Sequence, residues 1–260
     1  MKNRSDIKII FVDIDWTLYD HKHKCFNKSG IKALNKAHKN GVKVVLCTGR
    51  PYCSMKGVGV FDVLDVDGYI CTNGGLAYCD GQHVLKNTIS PDVVERIIKL
   101  ADKHHLVLEI MTPSDAYLVN EESDIVKRFF EFWVEVKPRY DVYRGEEVTS
   151  MLLFATNEVD KEFKKLPVFY YRFFDEGCDI YPYEYHKGLG AKAVLKHYGF
   201  LPKEAMAIGD DRPDIEMFNE VKYSVAMGNG RDEAKENALY VTKPIDKKGL
   251  KKALKKVKVI

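Results

Sequence analysis

The sequence lacks any apolar run that approaches the roughly 20 residues of a membrane span. The segment Met1–Asp6 also lacks the apolar stretch of a secretion signal, and the apolar run after it ends in acids. A strong excess of either charge is absent too, because the formal net charge is only +3 over 260 residues. That balance gives no general reason to expect nucleic-acid binding. We therefore expect a cytoplasmic protein that binds neither membranes nor nucleic acids.

No two cysteines have the C-x-x-C spacing, although the chain contains six cysteines. Cys47 and Cys71 fall inside predicted buried strands, where reduced cysteine packs as a small apolar residue. Internal repeats and low-complexity segments are missing as well. At 260 residues the chain suggests one large domain or two smaller ones, and its apolar fraction of 45% allows a sizeable core.

Strands and helices alternate in the first part of the sequence. Apolar, β-branched runs predict strands over residues 7–12, 42–47 and 69–71, and helical patterns lie between them. The first of these helices has Ser29 as its predicted N-cap and ends at Gly41. Such a βαβαβ order is typical of a parallel, doubly wound sheet.

The alternation breaks near residue 83. A predicted hairpin with a type I′ turn at Asp80-Gly81 is followed by closely spaced strands and a few helices. This order predicts a mainly antiparallel sheet with helices on one face. Because the alternation returns after Lys187, we predict an α/β protein with a Rossmann-like core over residues 1–82 and 183–260. Residues 83–182 would form an inserted α+β domain.

The C-terminal segment is rich in lysine but also has apolar residues at helical spacing: Leu250, Ala253, Leu254 and Val257. This spacing predicts an amphipathic helix with a solvated, basic face. That face would be formed by Lys251, Lys252, Lys255 and Lys256. A nucleic-acid-binding patch is the alternative interpretation.

Two carboxylates, Asp13 and Asp15, directly follow the first predicted strand. Because side chains alternate along a strand, both point to the same side, while Ile14 points to the other. Carboxylates at this end of a buried strand are costly unless a partner neutralises them, and ligands bind there in open α/β sheets. Asp13 and Asp15 therefore hold a metal ion, take part in chemistry, or do both. Taken alone, the motif has an ordinary alternative, since Asp and Thr often end strands and cap turns.

Polar side chains follow the other predicted core strands as well. The carboxyl ends of parallel strands lie along one edge of the sheet, so these groups should converge there. Clustered carboxylates are tolerated when a cation neutralises them, and all-oxygen ligands favour Mg²⁺. The converging residues, with a lysine from the return of the inserted segment, are Asp13, Asp15, Thr48, Asn73, Lys187, Asp210, Asp211 and Asp214.

These residues occur in the same order as the sequence motifs of the haloacid dehalogenase superfamily of phosphohydrolases. The chain resembles that superfamily over its whole length. Asp13-Ile14-Asp15-Trp16-Thr17 is similar to the first motif of that family, and Thr48 in Cys47-Thr48-Gly49-Arg50 is similar to the second. Lys187 is similar to the third motif, and the segment from Gly209 to Asp214 to the fourth. The long insertion follows the second motif and its next strand, which resembles the Cof-like, type IIB cap architecture.

The resemblance implies a role for each matching residue. Asp13 would be the nucleophile that attacks phosphorus and forms an aspartyl-phosphate. Asp15 would protonate the leaving alcohol and then activate water, and its backbone carbonyl would bind the metal. Thr48 would donate its hydroxyl to a phosphoryl oxygen, and Lys187 would neutralise both the phosphate and the nucleophile.

The resemblance also implies Mg²⁺ as cofactor, because the metal stabilises charge on the transferring phosphoryl group. The implied metal ligands are Asp13, Asp15, Asp210 and Asp214. The implied phosphate- and substrate-binding residues are Thr48, Gly49, Arg50, Asn73 and Lys187.

Two positions depart from the family pattern. Trp16 stands where the family usually has glycine, and its ring would narrow the cleft or stack on a substrate. Pro213 stands where this branch usually has asparagine. Proline cannot supply that amide to the metal or the phosphate, although it suits the start of a helix. Asp211 is a further candidate metal ligand that would compensate for the missing amide.

Several other groups have both a chemical and a structural interpretation. The segment from His21 to Cys25 contains soft-metal ligands, but no second ligand cluster accompanies it, which favours an exposed loop. Arg50 either touches the substrate or pairs with an acid. An aromatic cluster in the inserted segment is interpreted as core: Phe129, Phe130, Phe132 and Trp133. Three acids near its end would contact sugar hydroxyls: Asp175, Glu176 and Asp179.

The expected function is Mg²⁺-dependent hydrolysis of small phosphate monoesters, foremost sugar phosphates, by a monomer or a weak homo-oligomer. A closing cap would exclude bulk water and select the leaving group. One alternative is a phosphotransferase or phosphomutase, which shares the phosphoenzyme but passes the group to a sugar. The other is a non-catalytic protein that binds phosphorylated metabolites on the same scaffold.

Overall fold

A computed structural model of the chain describes residues 6–120, 123–133 and 137–260. They divide into two compact units. The first unit comprises the chain up to Gly49, Gly59–Leu85 and His186–Ile260, and the second comprises Arg50–Val58 and Lys86–Tyr185. The long segment of the second unit is an insertion within the first, and its ends lie three residues after the boundaries that we predicted from the sequence.

Short strands and helices make up both units. In chain order the strands are β1 (Ile9–Val12), β2 (Tyr19–Asp20), β3 (Cys25–Phe26), β4 (Lys43–Cys47), β5 (Gly68–Cys71), β6 (Leu76–Cys79), β7 (Gln82–Lys86), β8 (Val107–Met111), β9 (Ala116–Val119), β10 (Ser150–Phe154), β11 (Phe169–Phe174), β12 (Gly177–Tyr181), β13 (Ala205–Gly209), β14 (Tyr223–Ala226) and β15 (Tyr240–Val241). The helices are α1 (Lys28–Lys39), α2 (Tyr52–Gly57), α3 (Val60–Val63), α4 (Pro91–Lys103), α5 (Asp124–Trp133), α6 (Asp160–Phe163), α7 (Lys187–Tyr198), α8 (Arg212–Asn219), α9 (Asp232–Glu236) and α10 (Gly249–Lys256).

The first unit is built on an eight-stranded sheet in the order β15-β14-β13-β1-β4-β5-β6-β7. The strands from β15 to β5 are parallel, and β6 runs antiparallel to β5. β1 is fully buried and lies between β13 and β4, with Ile9 opposite Ala205 and Lys43. This central, two-sided burial explains why the strand is a continuous apolar run rather than an alternating one. The predicted parallel core is therefore confirmed.

Helices fix the positions of the strand ends in this unit. α7 packs closely on the sheet because Gly190 faces Ile70, where a Cβ would lie 2.3 Å from the isoleucine side chain. α1 packs against β4 and α10. The predicted amphipathic C-terminal helix is confirmed, since Leu250 and Leu254 of α10 are buried.

Local details of the first unit differ from the sequence expectations in two places. The N-cap of α1 is Asn27 rather than Ser29: its side chain accepts a hydrogen bond from the Gly30 amide, while Ser29 only donates to Asn27. The segment after β1, where no strand was predicted, contains the small hairpin β2–β3. The type I′ turn is confirmed, because Asp80 and Gly81 both have positive φ, at 48° and 82°.

The second unit has a five-stranded antiparallel sheet in the order β11-β12-β10-β8-β9. One face packs on α4 and α6, with Ile97 and Phe163 in that core. The opposite face packs on α5 through Phe129 and Phe130. The prediction of helices on a single face was therefore wrong. Both faces of this sheet carry apolar side chains, and each face is buried against helices.

The aromatic cluster of α5 is only partly core. Phe129 and Phe130 are buried as expected, but Phe132 is 67% exposed, and the side chain of Trp133 lies outside the described residues.

None of the helices in the described part of the chain is long and apolar enough to cross a membrane. All six cysteines lie within the described residues and are thiols, and Cys47 and Cys71 are buried, as predicted.

Candidate active site

Asp13 and Lys187 form a buried ion pair at the carboxyl end of β1. The Asp13 carboxylate follows directly after the strand, and its backbone N–H donates to the carbonyl of Ile208 on β13. Lys187 is the first residue of α7, and its Nζ lies 2.7 Å from Asp13 Oδ1. Both side chains are less than a tenth exposed. The return of the chain from the inserted unit thus brings an ammonium onto the first motif.

Asp214 turns back from the start of α8 into the same cluster. Its Oδ1 lies 2.6 Å from Lys187 Nζ, and its Oδ2 accepts hydrogen bonds from the backbone N–H groups of Asp210 and Asp211. The turn is possible because position 209 is glycine: a Cβ on Gly209 would lie 2.3 Å from the Asp214 carboxylate. Asp214 is 1% exposed, and the Lys187 ammonium and two backbone N–H groups contact its two oxygens.

Three buried carboxylates meet at this point. Oxygens of Asp13, Asp210 and Asp214 lie within 4.8 Å of one another. The hydroxyl of Thr17 donates to Asp210 Oδ1 at 3.2 Å. Lys187 is the ammonium that bridges two of the three acids, so the cluster carries more negative than positive charge when all its groups are ionised.

The pKa values in the cluster reflect this excess. Burial raises the pKa of Asp13 to about 8, with Lys187 acting in the opposite direction and Asp214 adding to the rise. Burial and the neighbouring carboxylates also raise the pKa of Asp210 well above its usual range. Burial alone would lower the pKa of Lys187, but Asp13 and Asp214 raise it well above its usual value. Ionised carboxylates here call for a further cation.

The donor set fits Mg²⁺. Carboxylate oxygens are the ligands that this ion prefers, and a divalent cation would balance the excess charge of Asp13, Asp210 and Asp214. Within the described ranges, these three residues are the one group of His, Cys, Asp or Glu side chains spaced for a metal. Asp15 was expected to bind the metal through its backbone carbonyl, and its side chain does not belong to this group.

Asp15 faces His21 instead. Asp15 Oδ1 lies 2.6 Å from His21 Nε2, and the Asp15 side chain is 22% exposed. The two carboxylates of the first motif therefore have different surroundings: Asp13 is buried beside an ammonium, and Asp15 is partly open to solvent beside an imidazole. The expected exposure is found from Lys22 to Cys25, but the His21 side chain departs from it and is only 6% exposed.

Trp16 adopts a left-handed backbone conformation, with φ of 57°. Its N–H donates to the Tyr19 carbonyl at 2.8 Å, and its own carbonyl accepts from Asn229 Nδ2 at 2.9 Å. Trp16 is 37% exposed, and its ring lies 5.2 Å, centroid to centroid, from the His21 ring. A non-glycine residue at such a φ is strained by about 1 kcal/mol or more, so these contacts hold a conformation that glycine would adopt freely.

Thr48, Gly49 and Asn73 meet at the ends of β4 and β5. The N–H of Thr48 donates to the Ile70 carbonyl, and the Thr48 carbonyl accepts from the Asn73 N–H. Thr48 is fully buried, and Asn73 has a left-handed φ of 50°. A Cβ on Gly49 would lie 3.1 Å from the Asn73 amide, so the glycine allows this side chain to approach the strand end.

The remaining candidates of the fourth motif are structural. Asp211 is the N-cap of α8, and its side chain pairs with Arg231 at 2.7 Å. It lies outside the group formed by Asp13, Asp210 and Asp214. Pro213 stands in the first turn of α8, where a missing N–H costs nothing.

Arg50 and the three acids of the inserted segment belong to the second unit. Arg50 is buried and donates to the Ser54 hydroxyl at 2.8 Å. Glu176 pairs with Arg128, and the carbonyl of Asp175 accepts from an arginine of β11. Asp179 accepts a hydrogen bond from the Tyr181 hydroxyl, and burial raises its pKa to about 7.

Three residues contact the site although none of them was predicted to do so: Thr17, His21 and Asn229. Thr17 lies within the first motif, so its place near the site could have been predicted from the sequence. Asn229 follows β14, and the rule that selected Thr48 and Asn73, a polar residue after a core strand, would have selected it. His21 carried no such signal because the hairpin β2–β3 was not predicted.

Comparisons with known proteins identify the family of this chain. A sequence profile of haloacid dehalogenase-like hydrolases matches residues 10–254. The "Putative phosphatase YkrA" of Bacillus subtilis (strain 168) is 29% identical over 255 residues, which cover 97% of this chain and 98% of that protein. A phosphoglycolate phosphatase of Archaeoglobus fulgidus is also 29% identical over 255 residues, covering 95% of each chain.

A solved structure supports the same assignment. The subclass IIB sugar phosphatase BT4131 of the haloacid dehalogenase superfamily superimposes with a TM-score of 0.82 at 28% identity, covering 97% of this chain and 100% of that one. This likeness supports the doubly wound core with an inserted cap that we predicted from the sequence. The chain belongs to the haloacid dehalogenase-like hydrolases, in which it is a Cof-like phosphatase of phosphoric monoesters.

Proposed function

We propose that the chain hydrolyses small phosphate monoesters through an aspartyl-phosphate on Asp13, with Mg²⁺ as cofactor. One observation carries this proposal: Lys187 Nζ bridges Asp13 and Asp214 at 2.7 and 2.6 Å, and Asp210 completes a buried acidic trio. An anionic nucleophile can attack an anionic phosphate when cations shield both. Lys187 supplies one such charge, and the trio would hold the other.

In this proposal each chain residue has a defined task. A carboxylate oxygen of Asp13 attacks phosphorus, and the bond from phosphorus to the alcohol oxygen breaks. Asp15 gives a proton to that oxygen and later takes one from a water molecule. The oxygen of that water then bonds to phosphorus, the bond from phosphorus to Asp13 breaks, and inorganic phosphate leaves. Thr48 donates its hydroxyl to the phosphoryl group, and Asn73 and Gly49 shape the same strand end. Lys187 keeps Asp13 in place.

Mg²⁺ would be held by Asp13, Asp210 and Asp214, with the Asp15 carbonyl as the further ligand expected from the family. When bound, it supplies charge stabilisation for the transferring phosphoryl group. Thr17, through its hydrogen bond to Asp210, orients one of the carboxylates for this task.

We further propose phosphorylated sugars as the substrate class. The sugar phosphatase BT4131 shares the fold over nearly the whole chain, whereas the relative from Archaeoglobus fulgidus is named for phosphoglycolate. Both have an alcohol as leaving group and both would use a general acid. The inserted unit, rather than the acidic trio, would choose between such substrates.

The test is a phosphate-release panel of sugar phosphates, phosphoglycolate, nucleotides and p-nitrophenyl phosphate, with and without Mg²⁺. We expect Mg²⁺-dependent release that Asp13→Asn abolishes, whereas Asp232→Asn, an exposed aspartate of α9, leaves it intact. Turnover by Asp13→Asn would contradict the mechanism. Release of the alcohol without a matching release of inorganic phosphate when a sugar acceptor is added would instead support a phosphotransferase. A phosphate ligand that raises the melting temperature without any turnover would support a binding protein.

A further inference from the structure

His21 makes a short hydrogen bond to the carboxylate that faces solvent in the first motif. Its Nε2 lies 2.6 Å from Asp15 Oδ1. Oδ1 accepts both when Asp15 is ionised and when its proton is on Oδ2, and the ring tautomer with its proton on Nε2 donates to it. This bond occupies one oxygen of Asp15 and fixes the plane of its carboxyl group.

The imidazole itself is held from two sides. Its ring centroid lies 5.2 Å from that of Trp16 and 5.0 Å from that of Tyr19. Tyr19 in turn packs edge-on against Phe26 across the β2–β3 hairpin at 5.1 Å. With 6% of its side chain exposed, His21 has little rotational freedom, and so neither has the Asp15 carboxyl that it holds.

Trp16 has a left-handed backbone conformation, which a residue with a side chain does not favour. Its φ of 57° is costly for a side chain of this size, yet the Asn229 amide and the Tyr19 carbonyl both bond to its peptide groups. Strained residues persist where the surroundings over-determine them, and they cluster at functional sites. Here the strained residue provides one wall for the imidazole.

From this geometry we propose that His21 is a positioning residue for Asp15. It holds Oδ1 so that Oδ2 faces the oxygen of the departing alcohol. The inference rests on the proposed function, in which Asp15 is the general acid. In that step the Oδ2–H proton moves to the ester oxygen as the phosphorus–oxygen bond breaks. The new bond joins phosphorus to Asp13, and a neutral alcohol leaves.

This role has a consequence for the substrate. A sugar alkoxide is a poor leaving group and needs the proton from Asp15, whereas p-nitrophenolate is stable as an anion and leaves without one. Loss of His21 should therefore impair hydrolysis of alkyl phosphates and spare that of aryl phosphates. The ratio of kcat/KM for the two substrates in one protein sample does not depend on how much of the sample is folded.

The experiment compares wild type, His21→Leu and His21→Gln on p-nitrophenyl phosphate and on the alkyl phosphate that wild type hydrolyses best. Leucine fills the space without a donor, and the amide of glutamine restores an N–H near the position of Nε2. His23→Gln serves as the matched control, because His23 lies on the same hairpin and pairs with Asp20 instead.

We expect His21→Leu to lower kcat/KM for the alkyl phosphate by about 10²-fold, the lower end of general acid catalysis, and to change the aryl value by less than about threefold. His21→Gln should recover most of the loss, and His23→Gln should match wild type. Equal losses on both substrates would overturn the proposal, and so would a wild type that hydrolyses aryl phosphates alone. No turnover of any ester by wild type, or turnover by Asp13→Asn, would instead contradict the proposed function.

Discussion

Gly209 makes room for the carboxylate of Asp214, since a Cβ at position 209 would lie 2.3 Å from it. The strand end at β13 and the helix start at α8 can approach this closely only without a side chain at that position. The hydrogen bonds from the backbone of Asp210 and Asp211 then fix the carboxylate, and Lys187 closes the cluster. The glycine of the fourth motif thus has a packing reason that its sequence context alone does not give.

Gly209→Ala should therefore disable the site. The added methyl group collides with Asp214 and forces either the carboxylate or α8 to move, so we expect loss of Mg²⁺-induced stabilisation and of activity. Gly41→Ala is the control: its φ of 87° is also unfavourable for alanine, but no atom lies within 4 Å of the new methyl group. It should cost about 1 kcal/mol of stability and leave activity unchanged. Thermal unfolding with and without Mg²⁺ and phosphate-release kinetics measure both effects.

The stability of the metal-free protein should fall as pH rises from about 6 to about 8. The folded protein keeps protons on Asp13, whose pKa burial raises to about 8, and on Asp210, whereas the unfolded chain releases them near pH 4. Because the folded state binds more protons in this range, deprotonation favours unfolding. The raised pKa of Lys187 acts only above its ordinary value, outside this range.

Melting temperatures in EDTA and in Mg²⁺ across this pH range test the point. Mg²⁺ binds the ionised carboxylates, so the rise in Tm that it causes should be larger at the alkaline end. Asp210→Asn should melt higher than wild type without metal, show a flatter pH profile and lose the response to Mg²⁺. A metal-free wild type whose Tm increases from pH 6 to pH 8 relative to Asp210→Asn would contradict the assignment of these carboxylates.

Lys187→Met should be both unstable and inactive. Removing one partner of a buried ion pair leaves charge uncompensated, which costs about 3–5 kcal/mol in other proteins. Activity should fall by about 10²-fold or more, as when a group that stabilises transition-state charge is removed. Lys192→Met, an exposed lysine of the same helix, should alter neither property. Denaturant unfolding and kcat/KM measurements separate the two effects, and a fully active Lys187→Met would refute the role of this lysine.

Trp16→Gly should leave stability nearly unchanged but reduce activity on alkyl phosphates. Glycine relieves the strain at φ 57°, about 1 kcal/mol, while the lost ring contact with His21 costs a similar amount. His21 would lose one wall and hold Asp15 less firmly. Trp16→Phe keeps a ring at the position and should keep more of the alkyl activity. If Trp16→Gly lowers kcat/KM for aryl and alkyl phosphates alike, the ring acts on substrate binding rather than on Asp15.

The sequence was sufficient to predict the parallel core and to select residues that the structure brings together. Asp13, Asp210 and Lys187 each follow a predicted strand or begin a helix at one sheet edge, and topology alone makes such positions converge. The roles assigned to these residues stay predictions. The sheet of the second unit was correctly predicted as antiparallel, but its helices lie on both faces. Burial of the second face depends on contacts between segments that are distant in the sequence, so the sequence pattern did not show it.

What could not be predicted depends on short-range geometry. The β2–β3 hairpin has strands of two residues, too short for any periodicity, so the approach of His21 to Asp15 left no pattern in the sequence. The left-handed φ of Trp16 contradicts the preference of its side chain and depends on Asn229, which is more than 200 residues away in the chain. The N-cap of α1 differed by two residues because Asn27 and Ser29 are both good caps.

The most direct test of the proposed mechanism is to trap the phosphoenzyme. Wild type mixed with Mg²⁺ and p-nitrophenyl phosphate is quenched in acid during turnover, and its peptides are mapped by mass spectrometry. We predict one added phosphoryl group on the peptide that contains Asp13, absent from Asp13→Asn. Steady hydrolysis with no phosphoryl group on that peptide, or with one on a different residue, would contradict it.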